Sequence, residues 1–199
     1  MVRQVLFIQG AGAGTYDDWD DKLVASLRRE LGEDYTVRYP RMPNEDEPSY
    51  PAWKAELTSE FKSLEDGAIL VGHSIGGTVL LHVLAEQAPL FEPGGLFLLA
   101  PPFVGEGGWP SEDMPRIGDF SHRLPAGLPV YLYHGAADDI VPPAHLGLYA
   151  QAIPGAAIRT LDGRDHQLNN DLREVAGDIR SLTRGRLTPT RLLKTQLEH

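Results

Sequence analysis

The 199-residue sequence predicts a doubly wound α/β domain built on a parallel sheet. Three observations carry that expectation. Short apolar runs recur along the chain, amphipathic segments fall between them, and the two kinds alternate from one end to the other. In order, Val5 to Ile8 reads as a first strand leading into a Gly-rich turn, and Trp19 to Leu31 as a helix with apolar residues three and four apart. A second strand over Thr36 to Tyr39 is followed by an acidic, Pro-rich irregular loop, Met42 to Pro51, and a helix over Trp53 to Leu64. Ala68 to Val71, Leu96 to Leu99, Val130 to Tyr133 and Ala157 to Leu161 read as strands buried on both faces. Helices are expected over Ile75 to Gln87, Ala144 to Ile153 and Leu172 to Leu182. Pro101 to Pro125 interrupts the rhythm with Gly105, Gly107, Gly108, Phe103, Trp109, Met114, Ile117 and Phe120. Connections of that length in compact domains are often lids or binding segments, so this stretch is a lid candidate, with Phe103 and Trp109 as expected substrate contacts.

The length suits a single domain, taken as residues 1–185 with 186–199 as a C-terminal tail whose final Leu197-Glu198-His199 reads as a tag remnant. Apolar residues make up 42% and charged residues 23%, a globular mixture that points away from disorder and from a membrane protein. A formal net charge of -10 opposes nucleic acid and anionic lipid as partners, since both require a clustered positive field. The absence of cysteine excludes disulfides, thiolate catalysis and cysteine-ligated zinc. The apolar run at the N-terminus is too short for a signal sequence, and the expected location is the cytoplasm.

The most informative segment is Ile69-Leu70-Val71-Gly72-His73-Ser74-Ile75-Gly76-Gly77, an apolar strand, then G-x-S-x-G, then a helix. A nucleophile elbow needs this arrangement because its serine sits on a strained strand-to-helix turn that leaves no room for side chains at the flanking glycines. The plainer alternative is a Gly-rich helix start with Ser74 as its N-cap. A serine hydroxyl is a weak nucleophile at neutral pH, so attack requires a base to take its proton, and histidine is suited by its ordinary pKa near ~6.5. In G-x-S-x-G hydrolases the order along the chain is serine, acid, histidine. His82, His122, His134, His145 and His166 follow Ser74. His82 falls within a helix, His122 in the long insertion, His134 at a strand end beside Gly135, and His145 at a helix start. His166, in the loop after the last strand, is the candidate base, and His73 is expected to point into packing. The acid is expected in Gly135-Ala136-Ala137-Asp138-Asp139-Ile140-Val141-Pro142, where Asp138 and Asp139 are not separable by charge. Asp162, Asp165 and Asp171 read as turn or cap residues.

Acyl transfer also needs an oxyanion hole of preorganised N–H groups. One is expected from Ile75, the residue after the nucleophile, and the other from the loop Gln9-Gly10-Ala11-Gly12-Ala13-Gly14, with Ala11 ahead of Gly12. That loop also resembles the opening of a dinucleotide fingerprint, but Thr15 stands where the third glycine belongs, and no Lys-Ser or Lys-Thr pair follows to make a phosphate loop. No H-E-x-x-H pattern suggests a metal site, so neither cofactor nor metal is expected.

From Val5 to Leu182 the chain resembles the α/β-hydrolase superfamily, and within it the small single-domain serine hydrolases related to the retinoblastoma-binding protein group, the YdeN-like hydrolases. The likeness rests on the glycine turn after the first strand, Met42-Pro43 before Trp53, Gly72-His73-Ser74-Ile75-Gly76, Gly135 to Pro142, and Asp165-His166-Gln167-Leu168-Asn169. It departs at Gln9, where many larger relatives carry histidine, and at Asp165, where glycine is common. The resemblance implies a three-layer fold with six parallel strands, lacking the N-terminal strands of larger relatives, and makes the first aspartate of the pair, Asp138, the acid. It implies an acyl hydrolase acting on a small ester or thioester. A second expectation from the same resemblance is a protein-binding module with little turnover, for which the acidic loop Asn44-Glu45-Asp46-Glu47 offers a surface.

Overall fold

A computed structural model describes residues 2–185; the expected tail 186–199 lies outside the described residues. Six strands form one parallel sheet: β1 (Arg3–Ile8), β2 (Tyr35–Arg38), β3 (Ile69–His73), β4 (Gly95–Leu99), β5 (Val130–Gly135) and β6 (Ala157–Leu161). Their spatial order is β2-β1-β3-β4-β5-β6. The helices are α1 (Asp20–Leu31), α2 (Tyr50–Phe61), α3 (Ser74–Glu86), α4 (Ala144–Ala152) and α5 (Arg173–Gly185).

The alternation of side chains along each strand divides the core between two faces. Val5, Phe7, Ile69, Val71, Phe97 and Leu99 pack with Leu23, Leu27, Val175 and Ile179 of α1 and α5. Leu6, Ile8, Leu70, Leu96 and Leu98 face the other way, onto Trp53, Leu57, Val79, Leu80 and Tyr149 of α2, α3 and α4. Because both faces are covered, the central strands carry unbroken apolar runs, Val5 to Ile8, Ile69 to Val71 and Leu96 to Leu99.

Helix α2 begins three residues before the expected start. Ser49 accepts a hydrogen bond from the Ala52 amide at 3.4 Å, and Pro51 fits the first turn, where its missing N–H costs nothing. The apolar residues of the 101–125 stretch are drawn into the core: Phe103, Val104, Met114, Ile117 and Phe120 are all buried on the α2/α3/α4 face. Among the described residues, no helix is long and apolar enough to cross a membrane.

Strand order reverses at β1, which lies between β2 and β3, so the crevice beyond the C-terminal ends of β1 and β3 is a switch point of the kind where open α/β sheets take their ligands. The glycine loop leaves β1 there, and the Ser74 turn leaves β3 beside it.

Candidate active site

Ser74 has φ 49°, the left-handed region that costs a residue with a Cβ on the order of 1–2 kcal/mol. The turn is held there by close backbone packing. A Cβ on Gly76 would fall 2.0 Å from the Gln9 carbonyl oxygen, and one on Gly72 would fall 2.5 Å from the Gly77 Cα. Only glycine at those positions lets the start of α3 close onto the ends of β1 and β3. Strain confined to the serine between them is what an elbow presenting a nucleophile requires.

The loop after β5 places Asp138 against the loop after β6. Asp138 Oδ2 lies 2.8 Å from His166 Nδ1, while Oδ1 accepts the amides of Ile140 and Val141, both at 2.9 Å. Asp138 is buried; Asp139 is exposed at the cleft mouth. Burial pushes the Asp138 pKa up, but hydrogen bonds from His134, His166 and the Val141 amide outweigh it and hold the carboxyl below the usual carboxylate range. With Nδ1 committed to an acceptor-only carboxylate, His166 is left with Nε2 as the nitrogen able to take a proton. The two loops are tied together by the Ala137 amide donating to the Arg164 carbonyl at 2.9 Å. Arg164 in turn donates to the carbonyls of Leu168 and Asp171, each at 2.8 Å, and to the Glu174 carboxylate at 3.0 Å.

The amides of the glycine loop are distributed unevenly. Gly10 N–H donates to Asp20 at 2.7 Å, and Gly12 N–H to the Glu45 carbonyl at 2.7 Å, which removes Gly12 as an oxyanion donor. Ala11 N–H, between them, has no such partner among the described residues. Ile75 N–H lies in the first turn of α3, where no carbonyl of the helix can accept it. Behind the loop, Gln9 donates to Glu45 and accepts the Met42 amide at 3.0 Å, while Trp53 Nε1 donates to the Pro43 carbonyl at 2.8 Å. The Glu45 carboxylate therefore faces inward, also accepting the Tyr16 amide at 3.0 Å, and is not part of an outward acidic surface.

A cleft of about 680 Å³ brings together Ala11, Ser74, Ile75, His166 and Trp109. Phe103 does not line it; the side chain is buried and borders a separate depression with Leu148 and Ile117. That corrects the expected substrate role of Phe103, whose ring packs edge-on against Tyr149. In its place the cleft has Trp19 and Ile140, 54% and 57% exposed, with Trp109 at 37%. Among the described residues no Lys or Arg lines the cleft, whereas Asp139 and Asp165 do.

The other histidines sort by their partners. His73 does not simply pack: Nδ1 lies 2.9 Å from the Asp20 carboxylate and Nε2 3.1 Å from the His166 carbonyl oxygen. His134 is a buried β5 residue, with Nε2 at 2.9 Å from the Val141 carbonyl and 3.2 Å from Asp138. His145 Nδ1 accepts the Phe103 amide at 2.8 Å, and His82 Nδ1 lies 2.8 Å from the Thr78 carbonyl. Asp165 and Asp171 serve as turn and cap residues, accepting the amides of Asn169 and Arg173. Among the described residues no cluster of His, Cys, Asp and Glu could hold a metal ion. Asp20 and Trp19 gave no separate signal in the sequence, since both sit in the run Asp17-Asp18-Trp19-Asp20-Asp21, which reads as an ordinary acidic helix start.

The alpha/beta hydrolase family model matches residues 5–180. Among curated proteins no sequence match was found. The fold is similar to that of the ydeN gene product of B. subtilis, with TM-score 0.72 and 22% identity over 92% of this chain and 100% of that one. It is similar to a YdeN-like hydrolase from Pectobacterium atrosepticum, described as putative, with TM-score 0.61 and 16% identity over 90% and 92%. It is also similar to Est1E from Butyrivibrio proteoclasticus, in a structure with bound ferulic acid, with TM-score 0.67 and 15% identity over 93% and 89%.

Proposed function

Because the chain belongs to the alpha/beta hydrolase family, we propose that it is a serine hydrolase transferring the acyl group of a small, uncharged carboxylic ester or thioester to water. The observation that carries this reading is a serine in a strained elbow, sharing one cleft with a histidine whose far nitrogen is held by a buried carboxylate.

In this mechanism His166 Nε2 takes the Ser74 proton as Oγ attacks the carbonyl carbon. The oxyanion is received by the N–H groups of Ala11 and Ile75, and Asp138 stabilises the imidazolium that forms. His166 then returns the proton to the leaving alkoxide or thiolate as the acyl–O or acyl–S bond breaks. Water enters, gives a proton to His166 and attacks the acyl-enzyme; the carboxylic acid leaves and Ser74 is reprotonated. Residues of the chain handle every proton in the cycle, so the reading calls on no cofactor. The cleft supports the substrate class: Trp19, Trp109 and Ile140 make its rim apolar, and the carboxylates at its mouth, Asp139 and Asp165, disfavour an anionic acyl group.

A fluorophosphonate probe tests the reading. Stoichiometric labelling of Ser74 in the intact protein, lost in Ser74→Ala, together with turnover of at least one ester in a panel that includes feruloyl esters, is the expected result. No labelling at pH 8 would overturn it in favour of a protein-binding module. The inward turn of Glu45 leaves that module less acidic surface than the sequence offered.

A further inference from the structure

We propose that Asp20 and His73 form a second acid–imidazole pair, a fixed carboxylate–imidazolium unit that positions the His166 loop and the oxyanion loop against the Ser74 elbow. The proposal rests on the hydrolase reading for the roles of Ser74, His166 and Ala11, but its charge state can be tested without activity.

Asp20 is 0% and His73 1% exposed, so neither can turn to water for its hydrogen bonds. Both ring nitrogens of His73 face groups that can only accept. Nδ1 is 2.9 Å from the Asp20 carboxylate, and Nε2 is 3.1 Å from the His166 carbonyl oxygen. A neutral imidazole carries one N–H and would leave one of these contacts unmade in a buried place. Two protons satisfy both. The charge that results is matched by Asp20, which also accepts Gly10 N–H at 2.7 Å and the Gln167 side-chain amide at 3.2 Å. The charged and titratable groups facing His73 are Asp20 from α1, His166 from the loop after β6 and, at longer range, Asp138 from the loop after β5. Burial pushes the His73 pKa down, but Asp20, the His166 carbonyl and Asp138 outweigh it and raise it above the ordinary histidine value.

The partners of the pair are what give it a function. Gly10 adjoins Ala11, His73 adjoins Ser74, and the remaining two bonds fall on His166 itself and on Gln167. A buried ion pair contributes little to stability compared with well-packed apolar residues, so its placement among all the reacting parts argues for positioning. The His73 and His166 rings lie with centroids 4.9 Å apart. Removal of the Asp20 charge would leave an unmatched imidazolium beside the base, and His73 would shed its proton and release one of its two acceptors.

The first test is ¹⁵N-histidine NMR of the wild-type protein. His73 should give the signature of a ring protonated at both nitrogens from about pH 5 to 8. A neutral ring within that range overturns the proposal, whatever the outcome of probe labelling, and this measurement needs no variant to fold. The second is Asp20→Asn, for which kcat should fall about a hundredfold with KM within about threefold, as expected from misplaced but intact catalytic groups. Its pH–rate profile should gain a falling limb on the alkaline side, absent from wild type, as His73 deprotonates. A profile of unchanged shape, merely scaled down, would mark Asp20 as structural only and overturn the positioning role.

Discussion

Asp138 divides its two carboxylate oxygens between tasks: Oδ2 faces His166 Nδ1 at 2.8 Å, and Oδ1 accepts two amides, those of Ile140 and Val141. In Asp138→Asn the side-chain oxygen would stay with the two amides and turn the NH₂ toward His166. The imidazole would then have to present a bare Nδ1 and carry its proton on Nε2, where it cannot accept from Ser74. A loss on the order of 10⁴ in kcat is expected. Asp139→Asn, at an exposed position, should stay within about threefold, and a double-substitution cycle on kcat/KM should show the two additive within about 0.5 kcal/mol. A crippling Asp139→Asn with a mild Asp138→Asn would reverse the assignment.

At Ser74 activity and stability should part company. Ser74→Ala should lose on the order of 10⁴ to 10⁶ in kcat with the fold intact. Ser74→Gly should be equally inactive, yet more stable than Ser74→Ala by about 1 kcal/mol, because glycine accepts φ 49° without a Cβ penalty. Paired urea titrations of the two variants measure the difference; equal midpoints would mean the turn is not strained.

Asp138 should also leave its mark on acid stability. In the unfolded chain it titrates near about 3.9, and in the folded protein below that. Its contribution is therefore complete above about pH 4 and is lost as the pH falls through the lower folded value. The difference in unfolding free energy between wild type and Asp138→Asn should be constant between about pH 5 and 7 and narrow towards pH 3. A gap that widens on acidification would contradict the assigned shift.

The rim of the cleft should govern acyl preference. Trp19→Ala and Trp109→Ala each remove exposed apolar surface beside the nucleophile, and should raise KM for hexanoyl or feruloyl esters about five- to tenfold while changing acetyl esters little. Phe103→Ala, by contrast, should cost about 3 kcal/mol in stability, because that ring is core. Selectivity unchanged in both tryptophan variants would place the acyl chain elsewhere.

Most of the framework was legible in the sequence. The four inner strands, β1, β3, β4 and β5, carry unbroken apolar runs because helices cover both faces, while the edge strands β2 and β6 include exposed polar residues such as Thr36, Arg159 and Thr160, and each expected helix overlaps an observed one with end shifts of up to three residues. Ser74 and His166 could be proposed because the chemistry prescribes residue types and a chain order, whereas only the family resemblance set Asp138 ahead of Asp139. What stayed hidden depends on long-range closure. Nothing local separates buried Asp20 from its exposed neighbours Asp17, Asp18 and Asp21, since only the approach of His73 and Gln167 singles it out. Glu45 looked like part of an outward acidic loop for the same reason, its partners Gln9 and Tyr16 being about thirty residues away. Phe103 was misplaced because an apolar residue in a long insertion reads the same whether it turns to the cleft or to the core.

The bond from Gln167 to Asp20 joins positions 147 residues apart, and the contact from His73 to His166 spans 93. Closing loops of that size is entropically unfavourable until the intervening strands have brought the two positions together. Under the proposed mechanism this closure has a protective side: a nascent or partly folded chain would carry Ser74 without His166 or the Ala11 and Ile75 amides, and would be inert until the two ends of the domain had met.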